Sequence, residues 1–188
     1  SSFSLNPRFT KHLVKNGIFK DNPLVVADIG ARGGMEHHWT NYGSSIRLIG
    51  FEPDAEECEK LNNLLPLQSN SKFYPVALYK DKGTHNFYEQ VSPAACGLYR
   101  RDPQIVDRFP AGELLKVTKI SQVKTTDFDS FVKDYDIPDV DFIKVDAEGA
   151  DFDIIEGALP QLKKSVLGFS CEIHFQPWCV GAKGFSEL

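Results

Sequence analysis

Two continuous apolar runs stand out in the first third of the chain. Leu24-Val25-Val26-Ala27 leads into Asp28-Ile29-Gly30, and Ile46-Arg47-Leu48-Ile49-Gly50-Phe51 ends in Glu52. Runs without period-two alternation, each closing on an acidic or Gly-rich turn, predict parallel strands covered on both faces. Val140-Asp141-Phe142-Ile143-Lys144-Val145, closing on Asp146, and residues 166–174 predict two more. Helical patterning falls between them. Residues 7–16 carry Phe9, Leu13 and Val14 near helical spacing, with Gly17 as a stop. Residues 35–42 leave room for about two turns. Residues 54–65 form a longer helix with Asp54, Glu56 and Glu57 in its first turn, where the helix dipole favours acids. Thr126-Asp127-Phe128-Asp129 has capping-box form ahead of a short helix over 130–135, and residues 151–158 make another.

The middle of the chain reads differently. Residues 72–78 and 84–90 predict strands, and residues 114–125 alternate apolar and polar positions like a half-exposed strand. Residues 91–112, rich in Pro and Arg, form a long loop of the kind that carries function, here contacts to an acceptor. Strands alternating with helices specify an α/β fold whose ligands lie at the carboxyl ends of the strands.

Composition narrows the function classes. The chain has 188 residues, with 21 Lys and Arg against 26 Asp and Glu and a net charge of −5, so it lacks the positive excess that a nucleic-acid partner requires. No apolar run approaches the roughly 20 residues of a membrane helix. The four cysteines, at 58, 96, 171 and 179, form no CxxC pair and are too few to staple a domain of this size, which points to a reducing, cytoplasmic setting. The chain opens on Ser1 without a basic segment and apolar core, so no secretory signal is expected there. Residues 1–22 are expected to be an N-terminal helical segment and residues 23–188 one catalytic domain.

The chemistry concentrates in one pair of features. Asp28-Ile29-Gly30-Ala31-Arg32-Gly33-Gly34 follows the first strand, and Glu52 ends the second, 22 positions beyond Gly30. Glycines let a turn bring its backbone against a ligand, and an acid about 20 residues on can take both hydroxyls of an adenosine ribose. Position 32 is Arg and GxGxxG is absent, which favours an adenosine ligand without a pyrophosphate, S-adenosylmethionine, over NAD. Its ammonium would meet Asp28 or backbone carbonyls of the turn, and its carboxylate the N–H groups near the helix start. Asp146 ends the fourth strand beside that site with Glu148 on the following turn. Glu172 and His174 share one strand face, as an acceptor base with its orienting partner or, with Asp146, as oxygen and nitrogen donors to a metal. No second His or Cys at ligand spacing supports the metal, and none is expected. His37 and His38 are expected at the surface or in the wall of the methionine pocket, and Trp39 and Trp178 as packing residues.

Val26-Ala27-Asp28-Ile29-Gly30-Ala31, Gly50-Phe51-Glu52-Pro53-Asp54, Pro75-Val76-Ala77-Leu78, the segment from Asp141 through Lys144-Val145-Asp146-Ala147-Glu148-Gly149-Ala150, and Ile155-Glu156-Gly157-Ala158 together resemble the FkbM-type S-adenosylmethionine-dependent methyltransferases, from about Val25 to Phe175. The first motif is shared by most class I methyltransferases, whereas KxDxEG at 144–149 is more particular to this family. The resemblance implies a Rossmann-like, mostly parallel sheet flanked by helices. It implies methyl transfer to a hydroxyl oxygen of a small molecule, carbohydrate or polyketide-type, and is compatible with an oligomer. Donor contacts are implied at Asp28, Gly30, Ala31, Gly34, Glu52, Pro53, Ala77, Leu78 and Asp146, with Asp146 and His174 as candidate catalytic bases. The family fold continues past the strand that ends near His174, and 14 residues cannot supply its closing strands, so the C-terminal end is expected to be missing. A methyltransferase-like domain that binds without catalysing is the alternative.

Overall fold

The computed structural model describes residues 7–67, 69–176 and 178–187; residues 1–6 of the expected N-terminal segment lie outside them. Five strands make the central sheet: β1 (Leu24–Ile29), β2 (Ile46–Phe51), β3 (Lys72–Tyr74), β7 (Phe142–Val145) and β8 (Gly168–Cys171). Their order is β3-β2-β1-β7-β8 and every pairing is parallel. The sheet is Rossmann-like, with β1 at its centre. Alternation along β1 explains its unbroken apolar run. Val25, Ala27 and Ile29 face one core with Phe51, Phe128, Phe131 and Ile154, while Val26 faces a second with Leu48, Trp39, Leu61 and Phe73. Helices α4 (Phe128–Asp134) and α5 (Asp151–Gly157) cover the first face, and α2 (Ala55–Leu64) the second. A leading helix, α1 (Arg8–Lys15), stands ahead of β1 as expected.

Several boundaries differ from the sequence reading, each for a local reason. The strand expected over 72–78 breaks at Pro75, which has no N–H to give to a ladder. Val76 N–H instead closes a tight turn onto Tyr74 O (2.9 Å), and β4 (Ala77–Leu78) departs for a second sheet. There it pairs parallel with β6 (Val117–Thr126), which in turn pairs antiparallel with β5 (Gly83–Gln90). The helix expected over 35–42 is reduced to 3-10 turns over Trp39–Ser45, interrupted at Gly43. The loop over 91–112 contains a 3-10 turn (Pro93–Ala95) and a short α3 (Pro103–Val106). The chain after α5 continues into α6 (Leu159–Lys164), with Pro160 tolerated in its first turn.

Side-chain caps hold the helices that position the site. Asp54 accepts from Glu56 N (3.1 Å) and Glu57 N (3.2 Å) at the start of α2. Asp127 accepts from Ser130 N (2.7 Å) at the start of α4. The cap is thus Asp127 rather than Thr126, so the capping box expected over 126–129 does not form, and Asp129 accepts from Gln161 Nε2 (2.7 Å) and Lys133 Nζ (2.5 Å) instead. Strand β8 lies at the sheet edge with Leu167 and Phe169 exposed. The four cysteines are free thiols, and no helix among the described residues is long and apolar enough to cross a membrane.

Candidate functional site

The carboxyl ends of β1, β2 and β7 open onto a cavity of about 720 Å³, roofed by the β5–β6 pair and the loop that joins its two strands. Gly30 is the pivot of this arrangement. Its φ of +78° lies in the left-handed region, and a Cβ there would stand 1.8 Å from the carbonyl oxygen of Asp146. Only glycine lets the turn after β1 lie directly against the turn after β7. Glu52, at the end of β2, is 5% exposed and faces the same cavity. Its Oε1 accepts from Asp54 N (2.9 Å), and Oε2 lies 3.7 Å from Arg32 Nε. A carboxylate offers about four lone-pair sites, so Glu52 keeps capacity for a ligand. Burial pushes its carboxyl up, against the opposing pull of the Asp54 N–H and Arg32.

Beneath the turn sits a charged knot that the sequence reading did not foresee. Lys144 Nζ, on β7, lies 3.1 Å from Asp28 Oδ1 and 3.7 Å from Asp146 Oδ2, and donates to Gly30 O at 3.1 Å. Asp28 is 1% exposed, and desolvation raises its carboxyl to about 6 although Lys144 opposes the shift. The Asp28–Lys144 contact is close but poorly aligned, so Oδ1 has no well-formed hydrogen bond. The lysine of KxDxEG therefore ties the ends of β1 and β7 together. The motif's turn is held from the other side by Asp151, which accepts from Ala147 N (3.1 Å) and Gly149 N (3.0 Å).

Glu148 adopts a left-handed backbone (φ 56°) and pairs with the buried guanidinium of Arg101. Arg101 also reaches Cys179 Sγ (3.4 Å), and its segment bridges to the chain at Cys179. Burial pushes the Glu148 carboxyl up and Arg101 pulls it down. Carboxylate oxygens of Asp146, Glu148 and Glu172 converge to within 4.8 Å of one another, a set suited to a hard cation, with Arg101 already balancing one of them.

The structure thus brings Gly30, Glu52, Pro53, Ala77, Leu78 and Asp146 onto one cavity. Asp28, Ala31, Gly34 and His174 do not line it. Asp28 lies under the turn, Ala31 is buried in the core, and Gly34 faces Leu61 of α2. His174 pairs with Glu172 (3.2 Å), beyond the end of β8. His38 is exposed beside Glu36, whereas Trp39 packs against Phe142 and Trp178 stacks on Phe109.

The Methyltransferase FkbM domain model matches residues 28–185, most of the chain. The chain belongs to the FkbM methyltransferase family. Comparison with curated proteins and with solved structures gives no match. Within this methyltransferase domain, Lys144, Arg101 and Asp151 are the site residues that sequence reasoning missed. A lysine inside a buried strand, two residues from the candidate base Asp146, was the available signal for Lys144. Arg101 had none, because its partner Glu148 is 47 positions away.

Proposed function

We propose that this FkbM-family domain transfers a methyl group from S-adenosylmethionine to a hydroxyl oxygen of a small-molecule acceptor, carbohydrate or polyketide-type. The observation that carries this reading is the placement of buried Glu52, the Gly30 turn and Asp146 around one cavity. The lining fits such a donor. Six acids (Glu52, Asp54, Glu56, Glu89, Asp146, Glu148) face two bases, Arg32 and Lys119, among the described lining residues. Both bases are already paired, with Asp54 (2.6 Å) and Glu89 (2.8 Å). A cationic sulfonium is favoured in such a field, whereas a pyrophosphate finds no free positive side chain.

S-adenosylmethionine, when bound, supplies an electrophilic methyl group. Glu52 accepts hydrogen bonds from its ribose hydroxyls, and Ala77, Leu78 and Pro53 give the apolar wall beside them. Lys144 and Asp28 hold the Gly30 turn against β7. Asp146 is the base for the acceptor proton, because it lines the cavity while His174 stands off it. A positioned base of this kind contributes about 10² to 10⁴ in rate, and alignment of the reacting atoms supplies much of the rest.

The test is transfer of labelled methyl from S-adenosylmethionine to a panel of sugars and polyketide alcohols. Label recovered as a methyl ether supports the assignment. Donor binding without transfer to any hydroxyl overturns the O-methyltransferase reading in favour of a noncatalytic module.

A further inference from the structure

The hairpin over the cavity contains one irregularity. Along β5, alternation sends Phe87 and Glu89 into the cavity and should send Gln90 to the other face. The ladder slips at this point. Glu89 pairs with Lys119 and Gln90 with Val117, leaving Thr118 as the extra residue of a bulge. The bulge is on β6, opposite Gln90, and Gln90 lines the cavity beside Glu89 with its amide atoms sealed from solvent; bulges are common beside active sites.

Gln90 differs from its neighbours in having nothing to bind. It is 5% exposed, and neither its Nε2 nor its Oε1 has a hydrogen-bond partner. The other polar groups on that face of the hairpin are satisfied internally, with Glu89 Oε1 taking Lys119 Nζ (2.8 Å) and Ser121 Oγ (3.0 Å). Buried amides are almost always paired, and an unpaired one is a standing loss of stability.

Its position is anchored to the reacting end of the site. Gln90 N–H donates to Cys96 Sγ (3.2 Å), and the next residue, Gly97, exchanges hydrogen bonds with Tyr88 (2.8 and 3.3 Å). A Cβ on Gly97 would stand 3.3 Å from Glu148 Cβ, so this loop is seated on the Asp146–Glu148 turn. The donor features, Glu52 with Ala77 and Leu78, belong to other elements.

We infer that the Gln90 carboxamide is an acceptor-recognition group. By turning about its side-chain torsions, it accepts from a hydroxyl through Oε1 and donates to a neighbouring oxygen of the same molecule through Nε2. The inference rests on the proposed hydroxyl methyltransferase reading and assigns the residue that selects the acceptor. It predicts an uncharged acceptor with adjacent oxygens, since an anion would meet the acidic lining described above.

The first experiment follows the Gln90 side-chain amide resonance of nitrogen-labelled protein. The probes are S-adenosylhomocysteine and a set of neutral vicinal alcohols: methyl glucoside, methyl mannoside and a cyclohexane diol. The alcohols are titrated with and without the donor product. The expected result is a shift with at least one alcohol and none with S-adenosylhomocysteine alone. A shift with S-adenosylhomocysteine alone assigns Gln90 to the donor, and no shift with any alcohol removes the recognition role; either overturns the inference. Failure of S-adenosylhomocysteine to bind counts against the proposed function, while the donor-free alcohol titration still judges Gln90. The second experiment is Gln90→Met, which keeps length and removes the unpaired amide. The melting temperature should hold or rise while affinity for the shifting alcohol falls roughly tenfold. A fall in melting temperature with unchanged alcohol affinity would make the amide a structural group. If Gln90→Met does not fold, the amide is likewise structural and the inference falls.

Discussion

Replacing Gly30 with alanine separates steric from conformational cost at the centre of the site. Gly30 and Gly33 have nearly the same backbone, φ +78° and +84°, but different surroundings. A Cβ at Gly33 meets nothing within 4 Å, whereas one at Gly30 would lie 1.8 Å from Asp146 O and 2.8 Å from its carbonyl carbon. Both alanines carry the left-handed penalty of roughly 1–2 kcal/mol. Gly30→Ala must also move backbone against backbone by more than about 1 Å. That strand end is held by Asp146 N to Ile29 O (3.0 Å) and Gly30 N to Phe51 O (3.1 Å). Overpacking of this kind adds roughly 1–3 kcal/mol, so the total is about 2–5 kcal/mol, or a melting temperature lower by roughly 10 °C. Urea denaturation of both variants reads the difference, and calorimetry with S-adenosylhomocysteine reads the site. Gly30→Ala should lose about 1–3 kcal/mol more than Gly33→Ala, along with donor affinity. Equal losses, or a Gly30→Ala variant within about 1 kcal/mol of the parent, would show that the two turns are not in the contact described.

Asp28 makes stability depend on pH. Its folded carboxyl, near 6, lies above the ordinary 3.8, so the folded state binds more protons between those values and stability from this group falls as pH rises from about 4 to 6, by no more than about 3 kcal/mol. Urea midpoints against pH should show that slope in the parent and lose it in Asp28→Asn. Asp146→Asn should lower turnover by about 10² or more with donor affinity within a few fold, while His174→Gln should stay within a few fold on both counts, as steady-state kinetics would report. Chelation by EDTA should leave transfer unchanged, because Arg101 already balances Glu148 in the carboxylate cluster. Loss of activity restored by magnesium would assign those carboxylates to a cation.

The strands at the centre of the sheet were legible because both of their faces are covered. Val25 and Val26 enter different cores, and a continuous apolar run follows directly from that. The place of Glu52 and Asp146 on the cavity was legible for a related reason, since residues just past buried parallel strands have no sheet left to pack against. The middle of the chain was harder. Pro75 divides two short strands between two sheets, and the choice depends on β6, whose partner residues are nearly 50 positions later. Pairings of the loop over 91–112 with Tyr88 and Cys179 are equally remote. Asp28 looked like a ligand contact from its place in the Gly turn, but strand parity carries its side chain under the turn to Lys144.

The proposed function requires an adenosyl donor held by Glu52. Its most direct test is isothermal calorimetry of the protein and of Glu52→Gln with S-adenosylhomocysteine, with NAD as the control. The parent should bind the adenosyl ligand and not NAD, and Glu52→Gln, still folded, should bind it about 10- to 100-fold more weakly as charge-assisted hydrogen bonds to the ribose are lost. Binding that is unchanged in Glu52→Gln, or tighter for NAD than for S-adenosylhomocysteine, would contradict it.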